Sequence, residues 1–173
     1  GIEEAHIMAA MMSRGAALAV AVGIGAAITA SGALASDPMP KNASAATKAA
    51  YARHENFEKL GKTFKGLNDE LKKSDPDKAV IAADTKTMVG LATALPGWFP
   101  RGSGVQARPM SEAKAEIWTD AAGFSAASSA MQVQVSKLNQ AALSGDIAAV
   151  KAQVRPTGGT CKGCHDKYRV EKK

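Results

Sequence analysis

Apolar residues recur at alternating steps of four and three between residues 44 and 72. The apolar positions on this face are Phe57, Leu60, Phe64, Leu67 and Leu71, and Arg53 lies on the same face one step earlier. Steps of this size place side chains on one side of an α-helix. We therefore predict a first helix from Ser44 to Lys72, which the Ser74-Asp75-Pro76-Asp77 segment ends.

A second helix is predicted from Pro76 to Leu95, with Asp75 as its N-cap. Its shared face holds Ile81, Met88, Leu91 and Leu95. The Pro- and Gly-rich segment 96–104 ends this helix. We expect Trp98 and Phe99, which lie in that loop, to cover the core.

The clearest periodicity predicts a third helix from Ser111 to Leu143. Its inward face is Ile117, Ala121, Phe124, Ser128, Met131, Val135, Leu138 and Ala142. A turn at residues 144–146 precedes a fourth helix, whose face holds Ile147, Val150, Val154, Cys161, His165 and Tyr168. Pro156 lacks an N–H donor and disfavours helix at the residue before it. We therefore expect a kink or a restart of the fourth helix just before Cys161.

These four amphipathic segments determine the expected fold class. Sustained period-two alternation, the mark of strands, is absent from the sequence. Amphipathic helices with short connections predict an all-α fold, an antiparallel up-down-up-down four-helix bundle. Ala121 and Ser128 are small residues at predicted inward positions, and they leave room inside the bundle for a large flat group.

The first 35 residues have the composition of a signal peptide. Arg14 precedes an apolar run over residues 16–28, and Ala33-Leu34-Ala35 is a small-x-small cleavage pattern. We predict cleavage after Ala35, a periplasmic product and a single domain over residues 36–173. The alternative is a retained membrane anchor, but the apolar run is shorter than the about 20 residues that a span needs. Residues 1–10 are acidic where such a signal is basic, so translation is expected to start at an internal methionine (Met8, Met11 or Met12).

Cys161, Cys164 and His165 form a Cys-x-x-Cys-His motif, the attachment signature of a c-type haem. On a helix the three side chains share one face, so the thiols can form two thioethers while the imidazole becomes an axial iron ligand. The alternatives are a redox-active cysteine pair, a zinc half-site and a structural disulfide. A zinc site needs about four ligands, and a thioredoxin-like pair belongs to a βαβ unit that the sequence does not predict. We predict one covalently bound haem c.

The charge of the chain bears on its partners. The formal net charge is +6, and removal of residues 1–35 takes away one arginine and two glutamates, which raises it by one. Two haem propionates would bring the charge to about +5, a balance that favours an acidic redox partner or a membrane surface. A basic surface without a specific partner is the alternative. Nucleic acid is a poor candidate, because the lysines are dispersed and aromatic residues make up 5% of the chain.

Several motifs together resemble the cytochrome c prime family, a class of exported four-helix-bundle haem proteins. The resemblance covers roughly residues 45–169. It rests on Arg53-x-x-x-Phe57-x-x-Leu60, Phe99-Pro100-x-Gly102-Ser103, Ile117-Trp118-x-Asp120-x-x-x-Phe124 and Thr160-Cys161-Lys162-x-Cys164-His165-Asp166-x-Tyr168-Arg169. As in that family, the haem motif lies on the last helix.

The resemblance implies roles for individual positions. Cys161 and Cys164 would anchor the haem, and His165 would be the proximal ligand. Phe57 would lie over the distal haem face, Arg53 would meet a propionate, and Arg169 would lie on the proximal side. Two further residues are expected to bind the cofactor: Trp118 and Phe124. Phe57 as ordinary core packing, and the two arginines as solvated charges, are the alternatives.

The nature of residue 57 separates the possible functions. A phenyl ring cannot bind iron, so the resemblance implies a five-coordinate haem that can take up NO or CO. We expect an exported protein for one-electron transfer. The alternatives are a dedicated NO- or CO-binding module for detoxification or sensing, and a six-coordinate electron carrier ligated by a methionine (Met88, Met110 or Met131). An enzyme such as a peroxidase is disfavoured, because no distal His and Arg pair accompanies Phe57. A homodimer is compatible with the sequence.

Overall fold

The structure, a computed structural model, describes residues 37–171. Five α-helices lie in this range: α1 (Ala45–Glu70), α2 (Lys78–Ala94), the short α3 (Glu116–Thr119), α4 (Ala121–Leu143) and α5 (Ile147–Tyr168). A 3₁₀ turn, Leu95–Trp98, follows α2. The long helices α1, α2, α4 and α5 form the predicted four-helix bundle. The predicted signal peptide and its cleavage site lie outside the described residues.

Polar caps start each long helix. Ser44 accepts a hydrogen bond from Thr47 N at the start of α1, and Asp146 accepts one from Ala149 N at the start of α5. The α2 cap is Asp77, whose carboxylate accepts hydrogen bonds from the next turn. The prediction of Asp75 as this cap was therefore wrong: Pro76 lies before the helix rather than at its first position.

The third predicted helix is broken. Residues 111–115 are not helical, and a break at Asp120 (φ −113°, ψ 59°) separates α3 from α4. Asp120 ends the first piece and caps the second, where its carboxylate accepts a hydrogen bond from Gly123 N at 3.1 Å. Ile117 and Phe124 are both buried across this break, which hides it from the hydrophobic pattern. Ala121, predicted to face inward, is exposed.

The fourth predicted helix has no restart: α5 continues through Pro156. The proline leaves the carbonyl of Ala152, four residues earlier, without its helical donor. Pro156 and Ala152 are both exposed, so water can bind that carbonyl and the cost of the proline is reduced. The predicted turn before α5 is present, and Gly145 occupies the left-handed region there with φ 73°.

The core lies between the long helices. Among residues 37–171, six apolar side chains are at most 1% exposed: Leu67, Ile81, Met88, Val135, Leu138 and Val150. Close packing joins α1 to α2, α2 to α4 and α4 to α5, whereas α1 and α5 approach each other at few points. One such point is Gly158, where an added Cβ would lie 3.7 Å from the Phe64 ring. Within residues 37–171 no helix is both long and apolar enough to cross a membrane.

Candidate functional site

The Cys-x-x-Cys-His motif occupies the last two turns of α5. No disulfide joins Cys161 and Cys164, which are both partly buried and both pack against the hydrophobic core. Burial raises the pKa of each thiol, and the charge of Cys161 adds to the shift at Cys164. Reactive Cys-x-x-Cys pairs depend on the opposite shift. The local environment therefore disfavours a redox-active pair.

His165 follows directly and is more exposed than the thiols. Partial burial, and then the charge of Arg169, lower the pKa of its imidazole, which favours the neutral form that binds metals. Among residues 37–171, no three His, Cys, Asp or Glu side chains are grouped so as to hold a metal ion. Within the described part of the chain, the motif therefore lacks the further ligands that a zinc site needs.

A row of aromatic rings connects α1 with the end of α5. Phe57 lies edge-on to Trp98 and Phe99, with ring centroids 5.1 and 6.1 Å apart. Phe99 in turn contacts Phe124 at 4.8 Å, and Phe124 contacts Tyr168 at 5.4 Å. The row brings Phe57 and Phe124, both predicted as cofactor-binding residues, into one apolar wall.

Trp118, another predicted residue, joins the same wall through the loop. Its indole Nε1 donates a hydrogen bond to Phe99 O at 3.0 Å, and its ring lies 6.3 Å from the Phe99 ring. Phe99 is thus the central ring of the wall. The sequence marked it only as a residue that covers the core.

The two predicted arginines have different surroundings. Arg53 is buried and hydrogen-bonded to the loop after α2. Arg169 is partly exposed, and its Nε donates to Glu112 Oε2 at 2.6 Å. The backbone supports this ion pair, because an isolated bridge joins Ala113 to Arg169 and Val170 N donates to Glu112 O at 2.8 Å. Glu112 could not be predicted from the sequence, because its partner Arg169 is 57 positions away and no local pattern pairs the two.

Another contact fixes the end of α5. Tyr168 Oη donates a hydrogen bond of 2.8 Å to Asp120, the α4 cap. Burial, and then this hydrogen bond, raise the pKa of Tyr168 to about 12. Gly123 is required beside them, because an added Cβ would lie 2.5 Å from Tyr168 Oη. The end of the helix that carries His165 is therefore tied to the start of α4.

These residues fit a covalently held haem. The donor set is two thiols and an adjacent imidazole on one helix. Of the long helices, α1 and α5 approach each other at few points, the Phe64 ring lies against Gly158 of α5, and the rings of Phe57 and Phe64 are both only partly buried. A flat apolar macrocycle between these helices would cover their partly buried apolar side chains.

Comparison with known proteins agrees with this fit. The family described as "Cytochrome C'" matches residues 48–169. Cytochrome c′ of Rubrivivax gelatinosus is 43% identical over 94 residues, which are 54% of this chain and 72% of that protein. A ferrous variant of cytochrome c prime from Alcaligenes xylosoxidans with bound NO has a TM-score of 0.66 and 29% identity, over 73% of this chain and 97% of that one. A CO-bound variant from the same organism gives a TM-score of 0.67 and 28% identity, over 75% and 99% of the two chains.

The family match spans most of the described residues and includes the whole wall and the Cys-x-x-Cys-His motif. The predicted fold class and cofactor are thereby confirmed: a four-helix bundle that carries haem c. The chain belongs to the cytochrome c′ family.

Proposed function

We propose that this cytochrome c′ is an exported one-electron carrier whose haem can also take up NO or CO on the side of Phe57. The observation that carries the proposal is that Cys161, Cys164 and His165 lie in the last turns of α5, the helix whose end the row of aromatic rings joins to Phe57 on α1. The NO-bound and CO-bound relatives support it, because they share the fold over nearly their full length.

Each side chain has a part in this proposal. Cys161 and Cys164 would hold the cofactor through thioethers, and His165 would supply a nitrogen ligand to its iron. When bound, haem c supplies one-electron Fe(III)/Fe(II) chemistry and a position for a diatomic ligand. Phe57, without a lone pair, cannot bind iron, and its apolar ring disfavours water. Arg169 lies beside His165 in an ion pair with Glu112.

The methionine-ligated alternative has less support in the structure. Met88 and Met131 are buried in the core on α2 and α4, and Met110 is 60% exposed in the loop. Peroxidase chemistry would need a distal acid–base pair, but His54 Nε2 lies 3.4 Å from Glu58 Oε1 in a partly exposed pair on α1. We therefore propose no enzymatic activity.

A dedicated NO- or CO-binding module is the second candidate function. The observation in its favour is the wall of Phe57, Trp98 and Phe99, an apolar environment that favours small neutral ligands over anions. The net charge favours an acidic redox protein as partner for the electron-transfer role. We also propose a periplasmic location, and a homodimer as the form to test by ultracentrifugation.

Four measurements on protein matured in a periplasm test the proposal. Acidic organic extraction should leave the haem on the polypeptide, and replacement of both cysteines should release it. Ferrous protein should bind NO and CO, and it should exchange one electron reversibly in potentiometry. Loss of the haem from the wild type into the organic phase would exclude the covalent assignment. N-terminal analysis of the exported chain should begin at Ser36.

A further inference from the structure

Arg53 is more deeply engaged with the protein than a propionate-binding arginine needs to be. Its Nη1 donates to Trp98 O at 3.2 Å and to Ser103 Oγ at 2.9 Å. Its Nη2 donates to Ser103 O at 2.7 Å and to Ser111 Oγ at 3.1 Å. Each terminal nitrogen has two hydrogens, so all four of these donors are used within the segment 98–111.

The acceptors are neutral oxygens, although the arginine side chain is buried. Arg53 is 4% exposed, and its guanidinium carbon lies 4.7 Å from the centre of the Phe99 ring. Burial, and then the charge of Arg108, lower the pKa of Arg53 to about 10. The group therefore stays charged at neutral pH. Hydrogen bonds and the face of Phe99 compensate its charge in place of a carboxylate.

The segment that Arg53 organises carries the rings that touch Phe57. Trp98 is held through its carbonyl and contacts Phe57 at 5.1 Å. Phe99 lies under the guanidinium and contacts Phe57 at 6.1 Å. Ser103 closes the loop with a hydrogen bond from its Oγ to Pro100 O at 2.8 Å. The position of the Phe57 ring therefore depends on the loop, and the loop depends on Arg53.

We propose that Arg53 is a positioning residue for ligand access: it fixes the segment 98–111 so that Trp98 and Phe99 hold Phe57 over the open side of the haem. The inference rests on the proposed function, because it takes Phe57 to cover that side. This role depends on a different property of Arg53 than a propionate contact does. Positioning requires the four N–H donors on Nη1 and Nη2, here called the donor fork, whereas a propionate contact requires the positive charge.

Two variants separate the donor fork from the charge. Arg53→Lys keeps the charge and loses the donor fork. The double variant Ser103→Ala/Ser111→Ala keeps Arg53 and removes two of its acceptors. Arg101→Lys, on an exposed arginine of the same loop, is the matched control. Ile81→Val, which weakens the buried core, controls for a general loss of stability.

The readouts on the holoprotein are amide hydrogen exchange over residues 98–111 and the CO association rate of the ferrous form. Hydrogen bonds to a charged group are strong, so exchange in the segment should accelerate about tenfold or more in both test variants. The CO association rate should rise several-fold in both. Arg101→Lys and Ile81→Val should leave the CO rate unchanged.

Several outcomes would overturn the inference. One is a CO rate that is unchanged in the serine double variant, whether or not the loop loosens. Another is an Arg53→Lys variant that changes the reduction potential but neither the amide exchange of the loop nor the CO rate. Such a result would mean that Arg53 acts on the cofactor directly and not by positioning the loop. A wild type that binds no CO contradicts the proposed gas binding itself, whereas CO binding at equal rates in all variants contradicts the positioning role alone.

Discussion

Replacement of Phe57 by Met and by Leu tests the central assignment of the site. The two new side chains have similar size and apolarity, and they differ in the thioether sulfur that can bind iron. Met should convert at least part of the ferric protein to a six-coordinate, low-spin form. Leu should leave it five-coordinate and largely high-spin, as we expect for the wild type at neutral pH.

The expected loss of stability follows from the ring contacts. Phe57 is partly buried and makes two edge-on contacts, with Trp98 and Phe99. Each such contact contributes about 0.5–1.5 kcal/mol beyond area burial, so either variant should lose about 2 kcal/mol. If the sulfur binds iron, the Met variant recovers part of this loss. The Leu variant recovers none, so the Met-minus-Leu difference in unfolding free energy measures the new bond.

The assay is electronic spectroscopy of both oxidation states, combined with denaturant unfolding of the holoprotein. A low-spin wild-type spectrum with a sulfur-to-iron charge-transfer band would refute the reasoning and would make Met88, Met110 and Met131 the ligand candidates. Identical spectra for the Met and Leu variants would show that residue 57 does not face the iron. Phe57→Ala should open the pocket and accelerate CO binding.

Three further predictions concern the scaffold and need only unfolding measurements. Gly90→Ala, in an open part of α2, should stabilise the protein by about 1 kcal/mol. Gly123→Ala should destabilise it, because the new Cβ would lie 2.5 Å from Tyr168 Oη. Equal gains in stability in both variants would contradict this contact. Tyr168→Phe should be less stable than the wild type below pH 10, and the difference should shrink toward pH 12, because a pKa raised from 10.0 to about 12 gives a contribution that deprotonation removes. Asp77→Ala should cost about 1 kcal/mol as the loss of a cap, and Asp75→Ala should be close to neutral; the reverse order would restore the cap assignment made from the sequence.

The sequence predicted the helices well where burial alone decides. Leu60, Leu67 and Leu71 are buried as their spacing predicts, and so are Met131 and Val135. The same pattern could not reveal the break at Asp120. The buried residues on both sides of the break follow one continuous helical spacing, so the hydrophobic pattern does not change there. The only sequence signal for the break is one residue, Asp120, whose carboxylate caps α4.

At Pro156 the sequence predicted a kink or a restart of the helix, and the structure has no restart. The prediction came from a local rule, that a proline within a helix normally costs about 3 kcal/mol. The rule does not consider where the freed carbonyl points, and here Ala152 and Pro156 lie on the exposed side of α5. The hydrogen-bond partners of Arg53 could not be predicted from the sequence for a different reason. Ser103 is 50 positions away, and only the folded loop places its hydroxyl against the guanidinium.

The packing between α2 and α4 differs from that between α1 and α5, where we propose that the cofactor lies. Between α2 and α4 the contacts are fully buried, as at Ile81 and Val135, and a hydrogen bond of 3.0 Å from Thr85 Oγ1 to Asn139 Oδ1 joins the two helices. α1 and α5 approach each other at few points, and Phe57 and Phe64 on α1 and Cys161 and Cys164 on α5 are only partly buried. Variants at Phe57 and Arg53 lose contacts of their own but leave the buried contacts between α2 and α4 in place. We therefore expect them to remain folded, so that their spectra and CO rates report on the site.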